Sequence, residues 1–194
     1  MKADEPITLA LFPLTVHVLP GGRLQLRIFE PRYIRMVKEA FSLQADFGIC
    51  MLNPDGNEQH NTHILPLGTL VKIVDFEQLE NNMLGITVEG IQLFEILQIA
   101  TAADGLRTGK VQLRPNWQYS PLQTQDLILK QRLSEVFDTY PELAQLYPDK
   151  QLQDESWICQ RWLEILPLEP EKKQQLLLEP QLLALKQFIL QLLD

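Results

Sequence analysis

The stretch from Leu11 to Phe41 constrains this chain most, because it dictates three kinds of local structure in succession. Pro20-Gly21-Gly22 is turn punctuation that should reverse the chain after the apolar run Leu9 to Leu19. Leu24, Leu26 and Ile28 then alternate with Arg23, Gln25 and Arg27, the period of a half-buried strand. Pro31 cannot continue a ladder, but its fixed φ suits the first position of a helix, with Glu30 near the positive helix end. Tyr33, Met36, Val37, Ala40 and Phe41 fall at i, i+3, i+4, i+7 and i+8, one apolar face. The unit reads strand, turn, strand, helix, and the apolar helix face must cover the sheet just built. At the junction, Glu30 and Arg32 read as ion pairing and helix capping rather than as a catalytic acid and its cation.

Strand signals dominate the residues that follow. Asp46 to Leu52 reads as a strand ending at the turn cluster Asn53-Pro54-Asp55-Gly56-Asn57, and a polar loop runs on to His63. Leu65 to Phe76 resumes strand character, with a hairpin expected at Asn81-Asn82. Met83 to Val88, Gln92 to Ala100 and Lys110 to Leu113 supply further strands, separated by Glu89-Gly90 and Ala103-Asp104-Gly105. Many short strands with one early helix predict a small, strongly curved sheet or pseudo-barrel.

The pattern changes at Arg114 to Pro121. Ser120, Pro121 and Gln123 read as an N-cap with its capping-box partner, opening a helix from Leu122 to Tyr140. Its stripe is Leu122, Ile128 or Leu129, Leu133, Val136, Phe137 and Tyr140. Pro141 and Pro148 break the next segment, and Trp157, Ile158, Trp162 and Ile165 place another helix. Glu171 to Leu178 and Gln181 to Leu193 are two more, the last burying Leu182, Leu185, Phe188, Ile189 and Leu192. The fold class is α+β: a β-barrel lobe with one packed helix over residues 7–114, a linker over 115–120, and a helical subdomain over 121–194.

The chemistry is read mostly by exclusion. At 45% apolar and 22% charged residues, the chain has an ordinary globular composition. Its length could bury ~70% of the unfolded-chain surface. The net charge of −8 argues against general affinity for nucleic acid or anionic membranes, both of which attract basic patches. Cys50 and Cys159 form no metal or redox motif and read as thiols of a reducing cytosol. Met1-Lys2-Ala3-Asp4-Glu5 carries no hydrophobic signal core, and no apolar run is long enough to span a bilayer, so the expected location is cytoplasmic. Gly105 to Val111 has one residue too few between its glycines for a phosphate loop, and Val111 stands where a hydroxyl is needed. His60 and His63, even with Asp55 and Glu58 nearby, read as solvated loop residues rather than zinc ligands. Ser42, Ser120, Ser134 and Ser156 lack a nucleophile-elbow frame. No catalytic, cofactor-binding or metal residues are therefore assigned. The tryptophans Trp117, Trp157 and Trp162 read as packing residues. Trp117 and Tyr119 in the linker are the exception, since a seam between lobes is where clefts form.

Leu11-Phe12-Pro13-Leu14, Pro20-Gly21-Gly22 and Ile28-Phe29-Glu30-Pro31-Arg32-Tyr33 closely resemble the opening of the Lon-type amino-terminal domain. Later pieces agree in order: Phe47-Gly48-Ile49, Gly68 to Ile73, and Val88-Glu89-Gly90 leading to Phe94-Glu95-Ile96. Leu163 to Leu168, Glu171 to Gln174 and Leu177-Leu178-Glu179 extend the likeness, which runs from about Leu9 to Leu193. The resemblance implies a six-stranded PUA-like β-barrel. The residues that carry it are Phe12, Pro13, Pro20, Gly21, Phe29, Glu30, Pro31, Arg32, Tyr33, Gly48, Gly68 and Gly90, read as structural. It also implies a stand-alone bacterial substrate-recognition domain, since the chain ends before an ATPase or Ser–Lys protease module could begin.

The implied function is ATP-independent binding of unfolded or partly folded polypeptides, with presentation to a separate protease or chaperone, and no enzymatic activity. An RNA-binding PUA-like protein and a small-molecule binder or enzyme using the inter-lobe groove are the alternatives. The expected client-binding place is the seam bordered by Trp117 and Tyr119, and the oligomeric state is left open between monomer and weak dimer.

Overall fold

The computed structural model describes residues 5–43, 45–81 and 83–193. Residues 1–4 of the amino terminus and Asn82 of the expected Asn81-Asn82 hairpin lie outside the described residues. The chain divides into two units, Met1–Pro115 and Asn116–Asp194.

The first unit carries β1 (Ile7–Leu14), β2 (Arg23–Ile28), α1 (Pro31–Leu43), β3 (Phe47–Leu52), β4 (Ile64–Gln78), β5 (Leu84–Thr101) and β6 (Arg107–Leu113). The strands follow the order β2-β5-β4-β3-β1-β6, and β5 also pairs with β6, which closes a ring. β5 makes this closure because its 18 residues serve two neighbours in succession. Leu84 to Glu89 pair with β2, and Phe94 to Thr101 pair with β6. β4 takes the opposite edge from Leu84 to Glu95. Register shifts between Leu70 and Val71, Ile73 and Asp75, and Ile96 and Gln98 supply the bends a closed sheet needs.

One sequence expectation fails here. Glu89-Gly90 does not separate two strands; it lies inside β5. The Gly90 N–H donates to the Gly22 carbonyl, and the Gly90 carbonyl accepts from the Gly21 N–H, each at 2.9 Å. A Cβ on Gly90 would collide with the Leu19 carbonyl, so this glycine marks the docking point of the Pro20-Gly21-Gly22 turn. Gly21 takes the left-handed conformation there, at φ 71°. β1 and β2, on either side of that turn, are not paired with each other: β1 lies between β3, which is parallel to it, and β6. Val18 and Leu19 are buried, so the segment joining β1 to β2 belongs to the core.

α1 begins at Pro31, and the Glu30 carbonyl accepts from the Tyr33 and Ile34 N–H groups. Tyr33, Met36, Val37 and Ala40 are buried in one core with Phe12, Ile28, Phe47, Val71, Ile86 and Val88. Phe41 is not on that face: it is half exposed and meets Phe76 edge to face at 5.1 Å. A second core gathers Leu11, Cys50, Ile64, Leu70, Phe94 and Val111. Gly48 and Gly68 make room for the Phe94 ring, because added Cβ atoms would stand 2.6 and 2.5 Å from its Cζ.

The second unit consists of a 3₁₀ turn, Thr124–Asp126, followed by α2 (Leu127–Thr139), α3 (Pro141–Gln145), α4 (Glu155–Ile165), α5 (Pro170–Leu178) and α6 (Leu183–Leu193). Ser120 does not cap α2. Its N–H donates to Asp154 Oδ1, its hydroxyl donates to Glu155 Oε2, and its carbonyl accepts from the Glu155 N–H. The serine is thus spent on the start of α4, where Asp154 is the cap and accepts from the Ser156 N–H. Leu129, Leu133, Phe137, Trp157, Ile158, Trp162, Leu163, Leu185 and Ile189 form the interior. Tyr140 and Leu192, expected inside, are exposed, because each sits at the end of its helix stripe. Among the described residues no helix is long and apolar enough to cross a membrane.

Candidate functional site

The signature residues separate into three places. Pro20, Gly21 and Gly90 build the docked turn, and Gly48 and Gly68 lie beneath Phe94. Phe12, Pro13, Phe29, Glu30, Arg32 and Tyr33 line a groove of about 370 Å³ in the first unit. Leu14, Leu26, Arg27, Ile28, Leu52, Glu58, His63 and Arg107 complete its walls. Pro31 contributes by starting α1 beside it. Part of the signature read as structural therefore surrounds a groove of mixed apolar and charged lining.

The groove is built from four separate stretches of chain. The Phe12 and Tyr33 rings stack with centroids 4.1 Å apart, and the Arg32 guanidinium lies 4.7 Å above the Tyr33 ring. Arg32 donates to Glu30 Oε2 through Nε at 2.9 Å and to the Gly105 carbonyl at 3.1 Å. Arg107 donates to the same Gly105 carbonyl at 2.7 Å, to Asn61 Oδ1 at 2.8 Å and to the Glu58 carbonyl at 3.3 Å. Burial pushes the Tyr33 phenol above its ordinary range against the opposing charge of Arg32, so the phenol stays neutral. Phe29 stands at the lip, 66% exposed, directly after Ile28, which is buried.

The remaining sequence candidates fall elsewhere or differ from expectation. His60 is exposed, its Nδ1 3.1 Å from Asn57 Oδ1. His63 is not a solvated loop residue: it is half-buried in the groove wall, and its Nδ1 is buried without a hydrogen-bond partner. Among the described residues no three His, Cys, Asp or Glu side chains gather to hold a metal. Arg107 to Lys110 lie in a strand, unlike the helix opening of a phosphate loop. Cys50 and Cys159 are buried, and burial pushes both thiols up, with Glu155 adding to the shift of Cys159. Trp157 and Trp162 are buried, Trp162 donating from its indole to the Leu129 carbonyl. Trp117 donates from its indole to the Glu179 carbonyl at 3.3 Å, and Tyr119 is 65% exposed. Neither lines the groove.

Sequence reading missed Leu26, Glu58, His63 and Arg107 as neighbours, for nothing local joins them. Phe29 did carry a signal. Leu24, Leu26 and Ile28 mark the inward face of β2, so an aromatic one residue beyond Ile28 must leave that face. Chemically, the groove offers an apolar floor, an aromatic lip and guanidinium groups, which suit binding.

Comparison with known proteins decides the family. The ATP-dependent protease La (LON) substrate-binding domain matches residues 8–194. The chain belongs to that family. The LON-family chain is similar to the crystal structure of a Lon N-terminal domain protein from Xanthomonas campestris, with a TM-score of 0.74 and 25% identity. That likeness covers 95% of this chain and 97% of the other. It shares its fold with the N-terminal domain of Mycobacterium avium complex Lon protease, at TM-score 0.67 and 13% identity, over 96% and 98% of the two chains. Among curated proteins it is similar to protein cereblon of Danio rerio, 29% identical over 110 residues, 53% of this chain and 25% of that protein. The Gallus gallus cereblon is 30% identical over 112 residues, 54% of this chain and 24% of that protein. The match thus spans about a quarter of these curated relatives.

Proposed function

We propose that this LON-family domain is a non-enzymatic, ATP-independent module that binds unfolded or partly folded polypeptides in the cytoplasm and presents them to a separate protease or chaperone. The observation that carries the reading is Phe29, two-thirds exposed at the lip of a groove floored by the Phe12–Tyr33 stack. An aromatic placed in water beside an apolar concavity favours an apolar side chain as guest. Because an unfolded client loses chain entropy on binding, affinity is on the order of micromolar or poorer. Trp117 and Tyr119 are proposed as a second, weaker contact, on the exposure of the Tyr119 ring.

Fluorescence anisotropy with a labelled, reduced and alkylated model protein tests the reading. The domain binds with micromolar affinity, and Phe29→Ser weakens binding severalfold while the melting temperature holds. The double variant Trp117→Ala, Tyr119→Ala weakens it less. If several unfolded clients leave anisotropy and amide shifts unmoved, the domain is not a stand-alone polypeptide binder.

A further inference from the structure

Two strand edges border the groove. Leu26, Arg27 and Ile28 are consecutive in β2, and Phe12, Pro13 and Leu14 are consecutive in β1, yet all six line one cavity. Successive side chains of a strand point to opposite faces, so a cavity that touches three in a row meets the strand along its edge. β2 pairs with β5 alone among the described strands. β1 pairs with β6 only up to Leu11, opposite Arg107, which leaves Phe12 to Leu14 beyond the end of that ladder. Among the described residues the groove is therefore flanked by backbone N–H and C=O groups outside any ladder, with Pro13 supplying no donor.

The charge there runs against the whole. The chain has a net charge of −8, but the groove gathers three guanidinium groups against two carboxylates, Glu30 and Glu58. Glu30 is committed to Arg32 at 2.8 Å. Arg107 donates only to neutral acceptors, two carbonyls and an amide oxygen, and these use three of its N–H bonds. A guanidinium has five, so two remain. Arg27 is exposed, and its guanidinium has no partner among the described residues. Arg32 and Arg107 also converge on one carbonyl, that of Gly105, which holds two like charges close together.

We infer that the groove takes an extended polypeptide segment in which an apolar residue neighbours an aspartate or glutamate. The guest backbone pairs with the free edge of β2, the apolar side chain packs under Phe29, and the carboxylate meets Arg107 and Arg27. Guanidinium and carboxylate match in a planar, two-bond geometry, which gives the pairing direction as well as strength. An internal carboxylate fits better than a chain end. Leu24 and Gln25 of β2 lie upstream of the three β2 residues in the groove, so a guest paired along that edge runs on past the pocket. This inference rests on the polypeptide-binding reading above and specifies its client.

The test uses the full chain and labelled twelve-residue peptides with both ends blocked. One carries a central Leu-Asp pair, a second Leu-Asn, a third Leu-Asn with a free C-terminal carboxylate, and a fourth Leu-Asp with alternate backbone amides N-methylated. The Leu-Asp peptide binds about tenfold more tightly than Leu-Asn, the gain expected of a charge-assisted hydrogen bond. N-methylation removes most of its binding. Arg107→Gln and Arg27→Gln each shrink the Asp-over-Asn preference. The second variant guards against misfolding, because the exposed Arg27 guanidinium holds nothing in place. Equal binding of Leu-Asp and Leu-Asn overturns the inference and leaves the polypeptide reading standing. Tighter binding of the free-terminus peptide, or displacement of Leu-Asp by a short oligoribonucleotide, also overturns it. If no peptide and no unfolded protein binds, both readings fall.

Discussion

The helical unit and the groove of the barrel unit treat their charges in opposite ways. In the helical unit Lys186 lies between Asp126 and Glu155, at 2.8 and 2.9 Å, and all three side chains are largely buried. Arg161, 1% exposed, is held by Glu164 and lies over the Trp157 ring. In the barrel unit Arg32 and Glu30 keep 31% and 41% of their side-chain surface in water, and Arg107 is bound to carbonyls and an amide oxygen. A cation enclosed by carboxylates has no capacity left for a guest and fixes the packing of the helices around it. A cation held by neutral acceptors keeps both charge and donors in reserve. The contrast separates scaffold from proposed site without reference to any relative.

Removing Lys186 probes the contrast most severely. Lys186→Met strands two buried carboxylates and lowers stability by about 3–5 kcal/mol, measured by urea unfolding. A loss below about 1 kcal/mol would place this cluster on a par with an exposed pair and erase the difference. Burial alone would lower the Lys186 pKa, but the hydrogen bonds to Asp126 and Glu155 outweigh it and raise the pKa above the ordinary lysine value. A raised value in the folded state gives stability that is complete below the unfolded value, about 10.4, and is lost as pH climbs through the folded one. The deficit of the variant accordingly narrows in alkaline solution.

Gly68→Ala sharpens the barrel side. Its Cβ would stand 2.5 Å from Phe94 Cζ, and overpacking of this kind costs about 1–3 kcal/mol. A neutral result in thermal melts would mean that the ring moves freely and that the barrel interior does not fix the groove. Arg32→Ala has the smallest expected effect on stability, about 1–2 kcal/mol, because its pair with Glu30 is partly in water. An unchanged melting temperature together with lost polypeptide binding would move Arg32 wholly from scaffold to site.

Periodicity made the helices and most strands legible. Tyr33, Met36, Val37 and Ala40 are buried as their spacing requires. Phe41 continues the same spacing, but at the flank of the stripe it meets Phe76 of β4 in water, a partner no local pattern names. Gly90 looked like a break because glycine usually is one; its reason lies at Leu19, far back in the chain. Ser120 carries the residues of a cap, but tertiary bonds to Asp154 and Glu155 claim it first. The groove escaped for the same cause. Phe12, Leu26, Arg32, Glu58 and Arg107 become neighbours only when the ring of strands closes.

That closure orders events during synthesis. Ile7 at the start of β1 pairs with Val111 in β6, and the intervening chain must emerge before the edge of β1 can be covered. A nascent chain with β1 made and β6 still unmade presents an apolar edge, Leu9 to Leu11, to its surroundings. Contacts so distant in sequence form slowly, and the incomplete ring is the species most exposed to aggregation on the ribosome. A domain proposed to capture unfolded chains thus passes, while it is being made, through a state that such a domain could itself capture.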